Sequence, residues 1–222
     1  MKSRERVKEI MSRLEISIPD PRSELNYSSN FELLTAVMLS AQTTDKRVNE
    51  VTAVLFQKAN TPLQMMELGE ENIFSIIKSI GLARTKSHNL AETARMLHND
   101  FQDEVPHTFE DLIKLPGVGG KTARVVLNVG FGEPVIAVDT HIHRVANRLK
   151  LSSSQNPDKI SLDLSKVLQG CDLTYAHHYL LLHGRRICRA RNPLCTTCTL
   201  NDLCTCRDKQ KILKQSKKAG SN

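Results

Sequence analysis

Three features of the sequence point to an all-α protein. Apolar residues recur at helical spacing nearly throughout, no segment alternates long enough to make a strand, and helix-start signals punctuate the chain. A first helix opens the chain, and Pro19 and Pro21 separate it from the acidic middle. Ser29 followed by Glu32 reads as a capping box at the start of a helix whose apolar face is Phe31, Leu34, Met38 and Ala41. Val48, Val51 and Leu55 mark the next helix. Thr61-Pro62-Leu63-Gln64 then supplies an N-cap, a proline at the first helical position and a glutamine at the third. Leu90, Ala94, Leu97 and Phe101 share a face, and a later helix from about Lys121 to Phe131 stops at Gly132-Glu133-Pro134. Val138, Ile142, Val145 and Leu149 repeat the pattern. Asn156-Pro157 starts another helix, with Ile160, Leu164, Val167 and Cys171 along it.

The chain of 222 residues carries 31 Lys and Arg against 24 Asp and Glu, a formal charge of +7, and fits one large or two small domains. The breaks at Pro19 and Pro21 and at Gly132 to Pro134 are the candidate boundaries. No apolar run approaches the roughly 18 residues of a membrane span, and the N-terminus has no continuous apolar core of a secretory signal. The charge is uneven. Residues 22–113 hold eight basic and thirteen acidic residues, whereas 114–150 hold six and two, 185–206 four and one, and 207–222 six and one. The last block, with Lys209, Lys211, Lys214, Lys217 and Lys218, is predicted to be a disordered basic tail. Without it the chain carries only +2, so attraction to a polyanion has to be local rather than global.

Chemistry concentrates in three segments. In Leu115-Pro116-Gly117-Val118-Gly119-Gly120-Lys121-Thr122-Ala123, three glycines in four residues precede an amphipathic helix. Glycine allows positive φ and close backbone approach, and the free N–H groups at the start of the helix suit a phosphate. Lys121 sits where the helix dipole disfavours an ammonium, and partial burial would act in the same direction. It can serve as a neutral nucleophile or as a phosphate contact, and both readings stand. Asp139, in Val138-Asp139-Thr140-His141, caps the next helix on the plainest reading, worth about 1 kcal/mol. It can also position an amine or water and stabilise positive charge on a sugar. The third segment holds Cys188, Cys195, Cys198 and Cys204, with spacers of six, two and five. Such clustering favours a metal, and four thiolates suit an iron–sulfur cube or zinc about equally on spacing alone. Cys206 could stand in for Cys204, and Cys171 reads as a core residue. Arg185, Arg186, Arg189 and Arg191, interleaved with the ligands, form either a phosphate-binding loop or a solvated face.

These segments together resemble the endonuclease III family of DNA glycosylase/AP lyases over nearly the whole chain. Its helix-hairpin-helix signature corresponds to Leu115 to Ala123, its lysine motif to Lys121-Thr122-Ala123, its aspartate motif to Val138-Asp139-Thr140-His141, and its cluster motif to the four cysteines. Leu39-Ser40-Ala41-Gln42-Thr43-Thr44-Asp45 and Ile80-Gly81-Leu82 are also similar to family segments. Gly120 departs from it, standing where relatives often carry a basic residue.

The resemblance implies a two-domain helix-hairpin-helix glycosylase fold. A six-helix barrel over 22–132, with the hairpin at about 108–127, is inserted in a cluster domain made of 1–21 and 133–206. It further implies one [4Fe-4S] cluster on Cys188, Cys195, Cys198 and Cys204, with Lys121 and Asp139 catalytic. The partner is duplex DNA containing oxidised pyrimidines or abasic sites, whose damaged base is flipped into the groove between domains while Gln42 and Leu82 fill the gap. Further DNA contacts are Gly117, Gly119, Gly120, Thr122, His141, Arg144, Arg186, Arg189 and Arg191. His141 can line the pocket or help to start its helix, and Asp45 can cap its helix or face the pocket. The expected protein is a monomer without membrane association, cytoplasmic and nucleoid-associated if bacterial. The rival readings are a non-enzymatic helix-hairpin-helix DNA-binding module, a mismatch-specific monofunctional glycosylase, and an electron carrier.

Overall fold

Capping side chains set seven of the ten helix starts in the computed structural model, which describes residues 3–206. The lysine-rich tail 207–222 lies outside the described residues. The first helix, α1, is Ser3–Ser17. Ser29 Oγ accepts the Glu32 N–H at 3.1 Å and opens α2, Asn30–Leu39. The return half of the box lands one residue early, because the Glu32 carboxylate takes the N–H and hydroxyl of Ser28 at 2.7 and 2.6 Å. Thr44, not Asp45, caps α3, Asp45–Lys58. Thr61 caps α4, Pro62–Ile77, with Pro62 in its first turn, and Gln64 reaches back to the Asn60 N–H at 3.0 Å. Gly69 interrupts α4 at φ 74°, a kink no local pattern announces.

The remaining helices are α5 (Ala83–Phe101), α6 (Phe109–Leu112), α7 (Gly120–Phe131), α8 (Thr140–Arg148), α9 (Pro157–Val167) and α10 (Leu173–Arg186). Asp139, Asn156 and Asp172 cap α8, α9 and α10 through their side-chain oxygens. The described residues hold ten helices and no strand. None of these helices is long and apolar enough to cross a membrane.

The chain divides into two compact units. Ser23–Glu133 forms one, and the other joins the described residues up to Arg22 to those from Pro134 onward. In the first, α2 is the central element: every residue from Phe31 to Leu39 is buried, as expected of a helix apolar on all sides. Against it pack α3, α5 and α7, with α4 on α3 and α5, and α6 on α7, and Leu55, Met65, Ile73, Leu90, Leu97 and Leu112 are fully buried. Ala41, expected on the face of α2, lies beyond the end of that helix and is exposed, because the helix stops at Leu39.

The second unit packs α1, α8, α9 and α10 around a core that includes Ile10, Leu14, Ile142, Val145, Ile160, Leu164 and Leu180. Gly184 of α10 lets α8 approach closely; a Cβ there would stand 2.9 Å from His141 Cβ. Cys188, Cys198 and Cys204 pack against the edge of this core. Val167 points outward at 38% exposure, and the buried row runs instead through Ile160, Leu164 and the C-cap residue Leu168.

Candidate functional site

In the first unit, the glycine-rich turn is held from α5. Thr108 caps α6, and the chain then turns back with Val118 N donating to Leu115 O at 3.0 Å, Leu115 and Val118 both buried. Thr93 donates its hydroxyl to the Pro116 carbonyl at 2.9 Å. Gly117 has φ +78°, and a Cβ on it would fall 2.7 Å from Asn89 Nδ2 and 2.9 Å from Asn89 Cβ. Gly117 therefore answers two demands at once, a left-handed backbone and close approach. Replacing it with alanine is expected to cost about 2 kcal/mol, measured by chemical denaturation, because strain and overpacking add.

Gly119 is the N-cap of α7 and provides no side-chain cap. The first N–H groups of the helix therefore lie at an end that favours an anion. Lys121 and Thr122 occupy that first turn, Lys121 exposed and Thr122 half-buried. Local pattern did not reveal Arg124, which stacks 4.7 Å from the centroid of the Phe109 ring and donates to the Gly120 carbonyl at 3.3 Å. It stands 3.2 Å from where a Gly120 Cβ would be, so a guanidinium borders that position. Its i,i+4 spacing from Gly120 was the available signal. Gln42 and Leu82, also in this unit, are exposed and both have left-handed backbones, φ 55° and 59°.

In the second unit, Asp139 Oδ1 accepts the N–H groups of His141 at 2.9 Å and Ile142 at 2.8 Å. Among the described residues Oδ2 makes no hydrogen bond, so capping occupies only one carboxylate oxygen. His141 is half-buried, with Nδ1 3.2 Å from Arg144 Nη2. Arg144, an expected DNA contact, is half-buried and donates to the carbonyls of Cys188 and Gly184 at 2.8 Å each and to Thr140 O at 3.2 Å. Three of its five N–H donors are thereby engaged, which makes it a brace between α8 and the end of α10. Arg186, Arg189 and Arg191 are exposed.

Cys188, Cys195, Cys198 and Cys204 line one cavity together with Cys206, and Leu149, Ile187, Pro193, Leu194 and Leu200 supply apolar walls. No disulfide joins any of the six cysteines. Burial pushes the Cys195 and Cys198 thiols up, against the thiolate form that ligation needs. A cation counters this, and Arg148 is placed to help, with Nη1 3.4 Å from Cys188 Sγ and 2.8 Å from Arg189 O. Burial lowers His183 to about 4, and its neutral ring stands 3.9 Å from Cys198 Sγ. Neither Arg148 nor His183 carries a local sequence signal, because both depend on where the cysteine loop folds. No three His, Cys, Asp or Glu side chains among the described residues converge closely enough to hold a single ion. The fit to a metal group thus rests on the shared cavity and on four thiols, which suit iron or zinc.

Over residues 35–169 the chain matches the family described as HhH-GPD superfamily base excision DNA repair protein. It is 48% identical over 204 residues to endonuclease III of Escherichia coli strain K12, covering 92% of this chain and 97% of that protein. Endonuclease III of Rickettsia conorii is 48% identical over 186 residues, covering 84% of this chain and 89% of the relative. A solved structure of a trapped endonuclease III–DNA covalent intermediate, an estranged-adenine complex, is similar at TM-score 0.88 and 38% identity, covering 96% of this chain and 100% of that one. A thermostable thymine-DNA glycosylase is similar in fold at TM-score 0.82 and 24% identity, covering 90% of this chain and 96% of that one.

Proposed function

The chain belongs to the endonuclease III family within the HhH-GPD superfamily of base excision DNA repair proteins, and on that basis we propose a bifunctional DNA glycosylase and AP lyase acting on duplex DNA with oxidised pyrimidines or abasic sites. The observation that carries the reading is the glycine turn that delivers an exposed lysine, Lys121, to the first turn of a helix without a side-chain cap. That end suits a DNA phosphate, and the amine beside it suits an electrophilic sugar carbon. A relative solved as a trapped covalent intermediate with DNA supports a covalent route.

In the proposed reaction Lys121 Nζ bonds to C1′ of the damaged nucleotide as the bond to the base breaks. Opening of the sugar gives a Schiff base, and loss of a 2′ proton expels the 3′ phosphate by β-elimination. Asp139 contributes electrostatically and handles protons through the oxygen that does not cap α8. The two Asp139 roles separate by substitution. Asp139→Asn keeps a good cap and should hold stability to within about 0.5 kcal/mol, whereas Asp139→Ala should lose about 1 kcal/mol. Both should slow base excision by about 10²-fold. Full activity in Asp139→Asn would leave Asp139 a cap only.

Gln42 and Leu82 are proposed to fill the stack after the damaged base is extruded, with the backbone at Gly117, Gly119, Gly120 and Thr122, and the side chains of Arg186, Arg189 and Arg191, against phosphates. One [4Fe-4S] cluster is proposed on Cys188, Cys195, Cys198 and Cys204, where it supplies a cross-link between chain segments rather than a reaction step. Iron with acid-labile sulfide in the pure protein supports it, and stoichiometric zinc without iron after anaerobic preparation overturns it. The protein is proposed to work as a cytoplasmic monomer. Incubation with a duplex containing thymine glycol tests the enzymatic reading, since cleavage 3′ to the lesion is expected and a non-enzymatic binder would leave the strand whole.

A further inference from the structure

Lys86, in the first turn of α5, is buried at 7% exposure. An ammonium has three donors, and all three are satisfied on one short segment. Nζ donates to Leu39 O at 2.8 Å, Ala41 O at 2.7 Å and Thr43 Oγ1 at 3.0 Å. These acceptors bracket Gln42. Leu39 is the last residue of α2, whose C-terminal carbonyls favour a cation. Burial lowers the Lys86 pKa, so the interior would not hold this charge without acceptors aimed at it.

The same lysine is tied to a second exposed loop. Its backbone N–H donates to Leu82 O at 2.9 Å, and a Cβ on Gly81 would sit 3.8 Å from Gln42 O, so the two loops are in contact. Leu82 combines a left-handed backbone with 56% exposure, and Gln42 is also left-handed and exposed. A leucine in that conformation is strained, and an exposed one recovers little by burial. Strain retained without a packing return points to function.

We infer that Lys86 is a positioning residue that fixes Gln42 and Leu82 as one rigid pair, and so controls extrusion of the damaged nucleotide without touching DNA. The inference rests on the stack-filling role proposed for Gln42 and Leu82. Loss of the lysine frees the Gln42 loop from α5 while the turn that carries Lys121 keeps its own supports at Asn89 and Thr93.

Extrusion should therefore suffer more than lyase chemistry. The test compares wild type with Lys86→Met, Thr43→Val, Gln42→Ala and Leu82→Ala in three measurements: single-turnover excision of thymine glycol, cleavage of a preformed abasic site, and 2-aminopurine fluorescence opposite the lesion. Lys86→Met should slow excision by about tenfold or more and abolish the fluorescence rise, with abasic cleavage changed by less than about threefold. Thr43→Val, which removes one of the three acceptors, should move the excision-to-lyase ratio the same way by about two- to threefold. A merely structural lysine would lower both reactions alike. If Lys86→Met does not fold, as judged by circular dichroism, Thr43→Val decides, and an unchanged ratio there overturns the inference. A folded Lys86→Met with wild-type ratio and fluorescence overturns it directly, provided Gln42→Ala and Leu82→Ala are impaired. Wild-type behaviour in those two variants instead overturns the stack-filling reading itself.

Discussion

Lys121→Ala is expected to abolish the covalent adduct that borohydride traps from wild-type protein and damaged DNA, and to lower strand cleavage by at least about 10³-fold. The fold should survive, because Lys121 is exposed and its side chain makes no hydrogen bond among the described residues. The helix behind it is anchored by Ala123, Val126 and Leu127, all buried, and by close approach of Gly130 to α2, where a Cβ would lie 2.8 Å from Asn30 Oδ1. The phosphate binding proposed at the α7 end would depend mainly on main-chain N–H groups, which the substitution leaves in place. DNA affinity should thus fall by less than about tenfold, a far smaller loss than in rate. An undiminished adduct in the variant would remove Lys121 from the role of nucleophile. Equal losses of binding and rate would make it a phosphate contact instead.

Cys198→Ser is expected to remove iron from the protein, lower its melting temperature by roughly 10 °C, and weaken DNA binding together with folding. After Arg186 the described chain has turns and no helix, so its own hydrogen bonds hold it poorly. What ties it down comes from elsewhere in the unit. Arg6 donates to Leu203 O at 2.8 Å, Arg13 to Thr199 O at 3.0 Å, and Arg148 to Arg189 O at 2.8 Å. Four thiolate bonds would be the strongest links in that set, and Cys198 packs directly against the core. Cys206→Ser is the control. It removes the fifth thiol lining the same cavity and should leave iron content unchanged. A Cys198→Ser protein that folds and binds DNA normally, with only redox behaviour altered, would defeat the structural role.

Much of the helical framework is legible in the sequence because its signals are local. Ser29, Thr61 and Asn156 each cap a helix by accepting an N–H three residues ahead, a bond that needs nothing beyond its own turn. The details that differ are small shifts of register within the same few residues, where neighbouring side chains compete for one end. The Glu32 carboxylate settles on Ser28 rather than Ser29, Ala41 falls off the end of α2, and Thr44 takes the capping place open to Asp45. In the candidate site, the glycine turn and the cysteine spacing are visible as strings. The fate of Arg144 is not, since its carbonyl partners at Gly184 and Cys188 come 40 and 44 residues later.

Helicity, most helix starts, the glycine turn before Lys121 and the cluster of four thiols near the C-terminus can all be read from consecutive residues. Periodicity, capping and glycine freedom act within a few positions, so neighbouring letters carry them. Which cations serve as braces and which face solvent emerges only once the chain has folded. Lys86 is buried against Leu39, Ala41 and Thr43, Arg144 closes onto α10, and Arg148 reaches the cysteine loop, while Lys121 stays exposed. A charged side chain is buried only where distant segments supply its acceptors, and the folding of those segments against one another sets that arrangement.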